Sequence, residues 1–208
     1  MLPLPTQARP FEVGTTGWSA ADLLDPQIEQ QWESGRYEII EGVLTRMPAA
    51  RYDGQERLQR LTEIVNDYLR AQQRRERVVG EVDVILADVR VPKADGLLLT
   101  ESDKQRQREE NRRRGRDEED FGRIIVPPTL LIESISLGHE RHDRVLKRKW
   151  YAEAGIPNYW LFDGYRRTLE CLVLDRAEYR VDQSGRDEDI LRPSAFPGLV
   201  IELAKVWD

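Results

Sequence analysis

The chain predicts an α/β or α+β fold, a mixed central sheet with helices against it. Short apolar runs bounded by glycine and proline read as strands on both sides of a helical periodicity. The order strands, helix, strands, with no internal repeat, is the pattern of helices laid on one sheet. The 208 residues are 39% hydrophobic, enough to build a core in one domain over residues 16–208.

The elements follow in order. Residues 1–15 are proline-spaced and polar and read as a flexible tail. Trp18 to Leu24 suggests a short helix capped near Ser19. Tyr37 to Met47 alternates and turns at Glu41-Gly42, a hairpin signature. Leu58, Leu61, Ile64 or Val65, and Leu69 fall at helical spacing, giving an amphipathic helix over roughly 54–73. Strands are expected from Val78 to Leu86, and between Val89 and Leu99 with an interruption near Pro92. Pro128 to Ser136 reads as a buried strand. A helix then runs to about Ala154, with Leu146 and Trp150 as its apolar stripe; Gly155 and Pro157 end it. Tyr159–Asp163 and Leu169–Leu174 form a hairpin across Gly164, followed by strands near Tyr179–Val181 and Leu199–Leu203. Leu131, Ile135, Leu146, Trp150 and Trp160 are the expected core.

Residues 101–123 form a charged excursion. Between 104 and 116 stand seven basic side chains against two acidic ones, and Asp117 to Asp120 follow as an acidic block. The stretch reads as a solvated helix or partly disordered excursion, or as a basic arm for a phosphate backbone. The net charge of -6 gives no global attraction to nucleic acid. No apolar run is long enough to span a membrane, and the first residues lack a signal-peptide pattern. Cys171 stands alone, which fits a reducing cytoplasm.

The chemistry concentrates at Glu133. It interrupts the apolar run Leu130-Leu131-Ile132, and alternation puts it on one face with Leu131 and Ile135. A buried carboxylate is costly unless it meets a cation, a metal or several donors. Asp95 is a second lone acid in a strand-like segment, although its neighbours Ala94 and Gly96 also suit a turn. Asp143 and Lys147 are four residues apart on the following helix, with Tyr151 one turn further. Taken alone, that pair reads as an ordinary surface ion pair. Two acids and a lysine in this order are the parts of a metal-dependent nuclease. His139 and His142 read as exposed loop residues.

From about Trp18 to Trp207 the chain resembles the Uma-type (Uma-two) family, within the PD-(D/E)xK restriction-endonuclease-like superfamily. Four stretches carry the resemblance: Gly35 to Leu44, Lys93 to Leu99, Leu131 to Ser136, and Asp143 to Leu161; Phe196 to Leu199 also fits. The resemblance implies a restriction-endonuclease-like sheet and a DNA endonuclease. It implies Asp95 and Glu133 as ligands of Mg²⁺ or Mn²⁺, and Lys147 as the catalytic lysine, delivered from the helix because Ile135 fills the usual position. Asp143 would position Lys147 or contact the metal shell, and Glu38 is an additional candidate acid. Ala94 stands where the family has proline, Gly96 where it has a bulky apolar residue, and no histidine opens the first long helix. Symmetric dimers are common among such folds, and Trp32 or Trp207 would serve an interface. The competing function is an inactive nuclease-fold module that binds nucleic acid or a partner protein.

Overall fold

The computed structural model describes residues 10–49, 51–135 and 142–208, with backbone alone at 142–144. The chain divides into two compact units, Met1–Pro48 with Ala87–Pro92, and Ala49–Leu86 with Lys93–Asp208.

The first unit is organised by one hairpin. A 3-10 turn at Asp22–Leu24 stands in the expected helical stretch. A further helix, α1 (Pro26–Glu33), starts where the Asp25 carboxylate accepts the Gln27 N–H at 2.8 Å. Pro26 suits its first turn, where no backbone N–H is needed. Strands β1 (Tyr37–Ile40) and β2 (Val43–Arg46) pair antiparallel around Glu41 and Gly42. Both turn residues have positive φ, 48° and 76°, as a tight hairpin of this twist requires. Residues 1–9 of the expected tail lie outside the described residues. Phe11 already sits edge-on to Trp18 and Tyr37, with centroids at 5.5 and 4.9 Å. Trp32 is buried rather than presented for an interface.

The second unit opens with α2 (Tyr52–Ala71), which buries Leu58, Leu61, Val65 and Leu69, the residues that its periodicity selects. The apolar stretch from Val78 to Leu86 is two short strands, β3 (Val78–Val79) and β4 (Val82–Val84), in different sheets. Gly80 lies between them because a Cβ there would sit 2.8 Å from the Asp95 carbonyl oxygen. Beyond Pro92 the chain makes β5 (Lys93–Ala94) and β6 (Gly96–Leu98). Gly96 replaces a bulky residue where the backbone closes on Ile132, whose Cβ would be 3.1 Å from an added one.

The charged excursion is α3 (Glu101–Arg113), started by a reciprocal cap between Thr100 and Asp103. Its arginines are paired in cis: Arg108 with Glu119 at 2.7 Å, Arg112 with Glu118 at 2.7 Å, and Arg113 with Glu110 at 2.6 Å. Such pairs add little stability, but they cancel the basic run as a phosphate-binding arm. The inner face of α3 is polar and buried. Gln107 accepts the Ile125 N–H at 3.0 Å, and Asn111 donates to the Asp120 carbonyl at 2.7 Å. Asp103 accepts both the N–H and the hydroxyl of Thr129, at 3.1 and 2.6 Å. These bonds fix the segment that holds β7 (Arg123–Ile124) and leads into β8 (Leu130–Ser134).

After β8 come a π-helical turn at His142–Lys147, α4 (Arg148–Glu153), β9 (Asn158–Asp163), β10 (Thr168–Asp175) and β11 (Glu178–Arg186). Strands β12 (Ile190–Leu191) and β13 (Ile201–Glu202) form a small ribbon before the closing turn α5 (Ala204–Trp207). The main sheet has the order β11-β10-β9-β8-β6-β3, parallel between β8 and β9 and antiparallel elsewhere. A second sheet is β5-β4-β7. Alternation along β8 sends Leu130 and Ile132 into one apolar cluster with α2, and Leu131 and Ile135 into another with Tyr151 and Tyr159. Trp207 stacks on Phe162 at 5.4 Å inside the first cluster, so it too is core rather than interface.

One expected core residue is misplaced by the sequence reading. Leu131, Ile135, Trp150 and Trp160 are buried, but Leu146 is 44% exposed. The inward arc is centred on Lys147, Trp150 and Tyr151, the i, i+3, i+4 set, all of them buried. Leu146 then falls about a quarter turn off that centre at ~100° per residue. Trp150→Ala should therefore cost roughly 3–5 kcal/mol in urea unfolding, and Leu146→Ala no more than about 0.5 kcal/mol. Asp103 supplies a pH test. Burial pushes its carboxyl up, but bonds from Thr129, the Thr100 backbone and Arg106 outweigh this and hold it below the ordinary value. A depressed carboxyl stabilises the fold above its unfolded pKa and loses that contribution as pH falls through the folded value. Asp103→Asn should flatten this part of the acid-side loss of stability, read from urea midpoints across the acid range.

Candidate active site

Glu133 is 1% exposed near the carboxyl end of β8, on the face shared with Leu131 and Ile135. The parallel pairing of β8 with β9 requires a crossover, and the crossover carries the cation back to the acid. The Lys147 amine lies 3.2 Å from Glu133 Oε2, and the lysine is 2% exposed. The Tyr151 hydroxyl donates to Glu133 Oε1. Both carboxylate oxygens are therefore engaged from two successive turns of one helical segment. A buried carboxylate needs such company, since removing either charge would leave the other desolvated.

Tyr151 is the residue that sequence reasoning left without a role. Its signal was its spacing: four residues after Lys147, it had to share the inward face. The ring is itself fixed. It meets Tyr159 at 5.0 Å and 63°, and Tyr159 meets Tyr179 at 5.5 Å. Tyr179 donates to the Ile156 carbonyl at 2.6 Å, and burial pushes its phenol well above the ordinary range.

Asp95 sits at the bend between β5 and β6, where the chain leaves the three-stranded sheet for the main one. In the β6–β8 ladder Gly96 faces Ile132 and Leu97 faces Leu131. One further step along this ladder puts Asp95 opposite Glu133. Its Oδ2 accepts the Ser134 N–H at 2.8 Å. Asp95 thus borders the strand position next to Glu133. Ala94 in place of proline leaves this arrangement in being, since Ala94 pairs with Val82 in β5.

The side chain of Asp143 and all of His139 lie outside the described residues, as does the side chain of His142. The backbone at 142–147 winds as a π-helix, a rare form that often marks functional positions. Glu38 is buried in β1 of the first unit. Among the described residues no group of three or more histidine, cysteine, aspartate or glutamate side chains gathers at metal-binding spacing. Among them, too, no helix is long and apolar enough to cross a membrane.

A mixed sheet with helices, an acid near the end of one strand and a lysine returned to it by the crossover define a restriction-endonuclease-like arrangement. Residues 26–204 match the Uma2 family, described as "Putative restriction endonuclease", and the chain belongs to that family. A similar solved structure is a crystal structure titled as a putative nuclease belonging to DUF820 from Anabaena variabilis ATCC 29413. It shares 18% identity over 82% of this chain and 89% of that one, with a TM-score of 0.62. At that identity the likeness shows the fold. No curated protein matches.

The pair geometry is testable through stability. Lys147→Met leaves Glu133 without its cation and should cost about 3–5 kcal/mol. Tyr151→Phe removes one hydroxyl donor and should cost about 1–3 kcal/mol. Glu133→Gln combined with Lys147→Met should recover much of the first loss, because neither buried charge remains. Urea unfolding of the three variants checks the order.

Proposed function

We propose that the protein is a metal-dependent DNA endonuclease that hydrolyses phosphodiester bonds. The observation that carries the reading is Glu133, an acid inside an apolar strand that is met by the Lys147 amine and flanked by Asp95. The donor set suits Mg²⁺ or Mn²⁺. Both are hard cations, and Mg²⁺ takes one or two carboxylates and keeps water for the rest of its shell. Asp95 and Glu133 would hold the ion. When bound, it would lower the pKa of a water and polarise the phosphodiester.

The chain's own groups divide the remaining work. Lys147 neutralises Glu133 at rest, and its ammonium is placed to orient the attacking water or to meet charge building on the phosphate. Tyr151 holds the Glu133 carboxylate in one orientation while the lysine shifts. Asp143, four residues before Lys147, is assigned the positioning of that lysine. The partner in this reading is DNA. The compartment is the cytoplasm, supported by the single, buried Cys171. A homodimer belongs to the same proposal.

The second reading is a nuclease-fold module that binds without cutting. One observation favours it: both oxygens of Glu133 already have partners within the chain. Cleavage of supercoiled, linear and single-stranded DNA in Mg²⁺ and in Mn²⁺ separates the two, with Lys147→Ala as the control. Nicking by the wild type that the variant loses by a hundredfold or more is the expected result. The metal assignment has its own measurement. Mg²⁺ should raise the melting temperature of the wild type and leave that of Asp95→Asn unchanged, since a ligand of the folded state stabilises it. Asparagine keeps the acceptor for the Ser134 N–H, so the variant should remain folded. An equal response in both proteins would remove Asp95 from the metal site.

A further inference from the structure

Asp95 also borders a cavity of about 480 Å³, within the size range of small-ligand sites. Its long wall is one face of α2, where Tyr52, Gln55, Gln59 and Glu63 recur at helical spacing. The lining carries three carboxylates, Glu56, Glu63 and Asp95, against one guanidinium. That guanidinium, Arg60, is bound to Glu56 at 3.2 Å. The cavity is thus net negative and repels a phosphate group.

What it offers instead is amide chemistry and an aromatic face. The Gln59 amide nitrogen is held by Glu63 Oε1 at 2.9 Å, which fixes the direction of its carbonyl oxygen. Neither the Gln55 amide nor the Tyr52 hydroxyl bonds to another described residue. Tyr52 is 82% exposed at the first turn of α2. Glutamine amides match the donor and acceptor edge of a base, and an aromatic ring provides a stacking platform.

We infer that this cavity is a nucleobase subsite, taking an unstacked base of the strand whose scissile phosphate would meet the metal ion proposed at Asp95 and Glu133. The inference rests on the nuclease reading and makes Tyr52, Gln55 and Gln59 its specificity residues. A concave site reads a base that has left the stack, and single-stranded or locally opened DNA supplies one at least cost.

The test compares two single-stranded oligomers of equal length and charge, one of deoxyadenosine and one fully abasic, with Ca²⁺ replacing Mg²⁺. Fluorescence anisotropy reads affinity for wild type, Tyr52→Ala and Gln55→Ala, and melts establish that each is folded. Wild type should prefer the base-bearing oligomer by about tenfold or more. Each variant should lose most of that preference and keep its affinity for the abasic oligomer. A preference that survives in both variants, or an equal weakening towards both oligomers, overturns the subsite and leaves the nuclease reading standing. Failure of the wild type to bind either oligomer overturns both.

Discussion

The fold depends on solving one electrostatic problem, a carboxylate placed inside an apolar sheet. Glu133 is as buried as the leucines around it. An uncompensated charge there would be worth several kcal/mol against the fold. The lysine and the tyrosine that answer it both come from the crossover between β8 and β9. That crossover must therefore dock with one face only, and Trp150 locks the same face by burial. Buried pairs are poor sources of net stability compared with apolar packing of the same volume. Their retention at this point suits chemistry better than it suits stability, which is the physical ground for reading the pair as functional.

A second consequence concerns charge at the surface. The chain has 38 acidic and 32 basic side chains, yet the densest basic run is neutralised by acids that follow it in sequence. The helix α3 uses its inner polar face as a clamp on the segment entering β8. The excursion thus supports the strand that carries Glu133, and the positive field that a DNA reading needs has to come from elsewhere on the molecule.

The sequence disclosed the parts whose signals are local. The hairpin at Glu41-Gly42, the long helix with Leu58, Leu61 and Leu69, and the buried strand with Glu133 were all legible from period and turn chemistry. Lys147 was legible from its place after the two acids, four residues beyond Asp143, and from the family resemblance. What stayed hidden was set by distant partners. Leu146 looked apolar enough for the core, but the arc around Lys147 had already taken the inward positions. The split of β3 from β4 needed the close approach of Gly80 to Asp95, fifteen residues away in the chain. The helix α1 buries only Ile28 and Trp32, and its signals, Asp25 and Pro26, come without a strong apolar period. The buried Asp83 and Arg123, with the half-buried Lys93 beside them, gave no local sign of burial, since each residue is an ordinary surface type.

The separation of these contacts along the chain has a consequence for how the site assembles. Lys147 and Glu133 are 14 residues apart, whereas the bond from Asp95 to the Ser134 N–H spans 39. Closing the longer loop costs about 0.9 kcal/mol more in chain entropy. The acid–lysine contact is thus the cheaper closure, available as soon as one strand and the following helix meet. Asp95 arrives with a strand that must first find its place in the sheet. A folding chain would hold the salt bridge before the second carboxylate, so Asp95 would arrive beside an acid already paired with its ammonium.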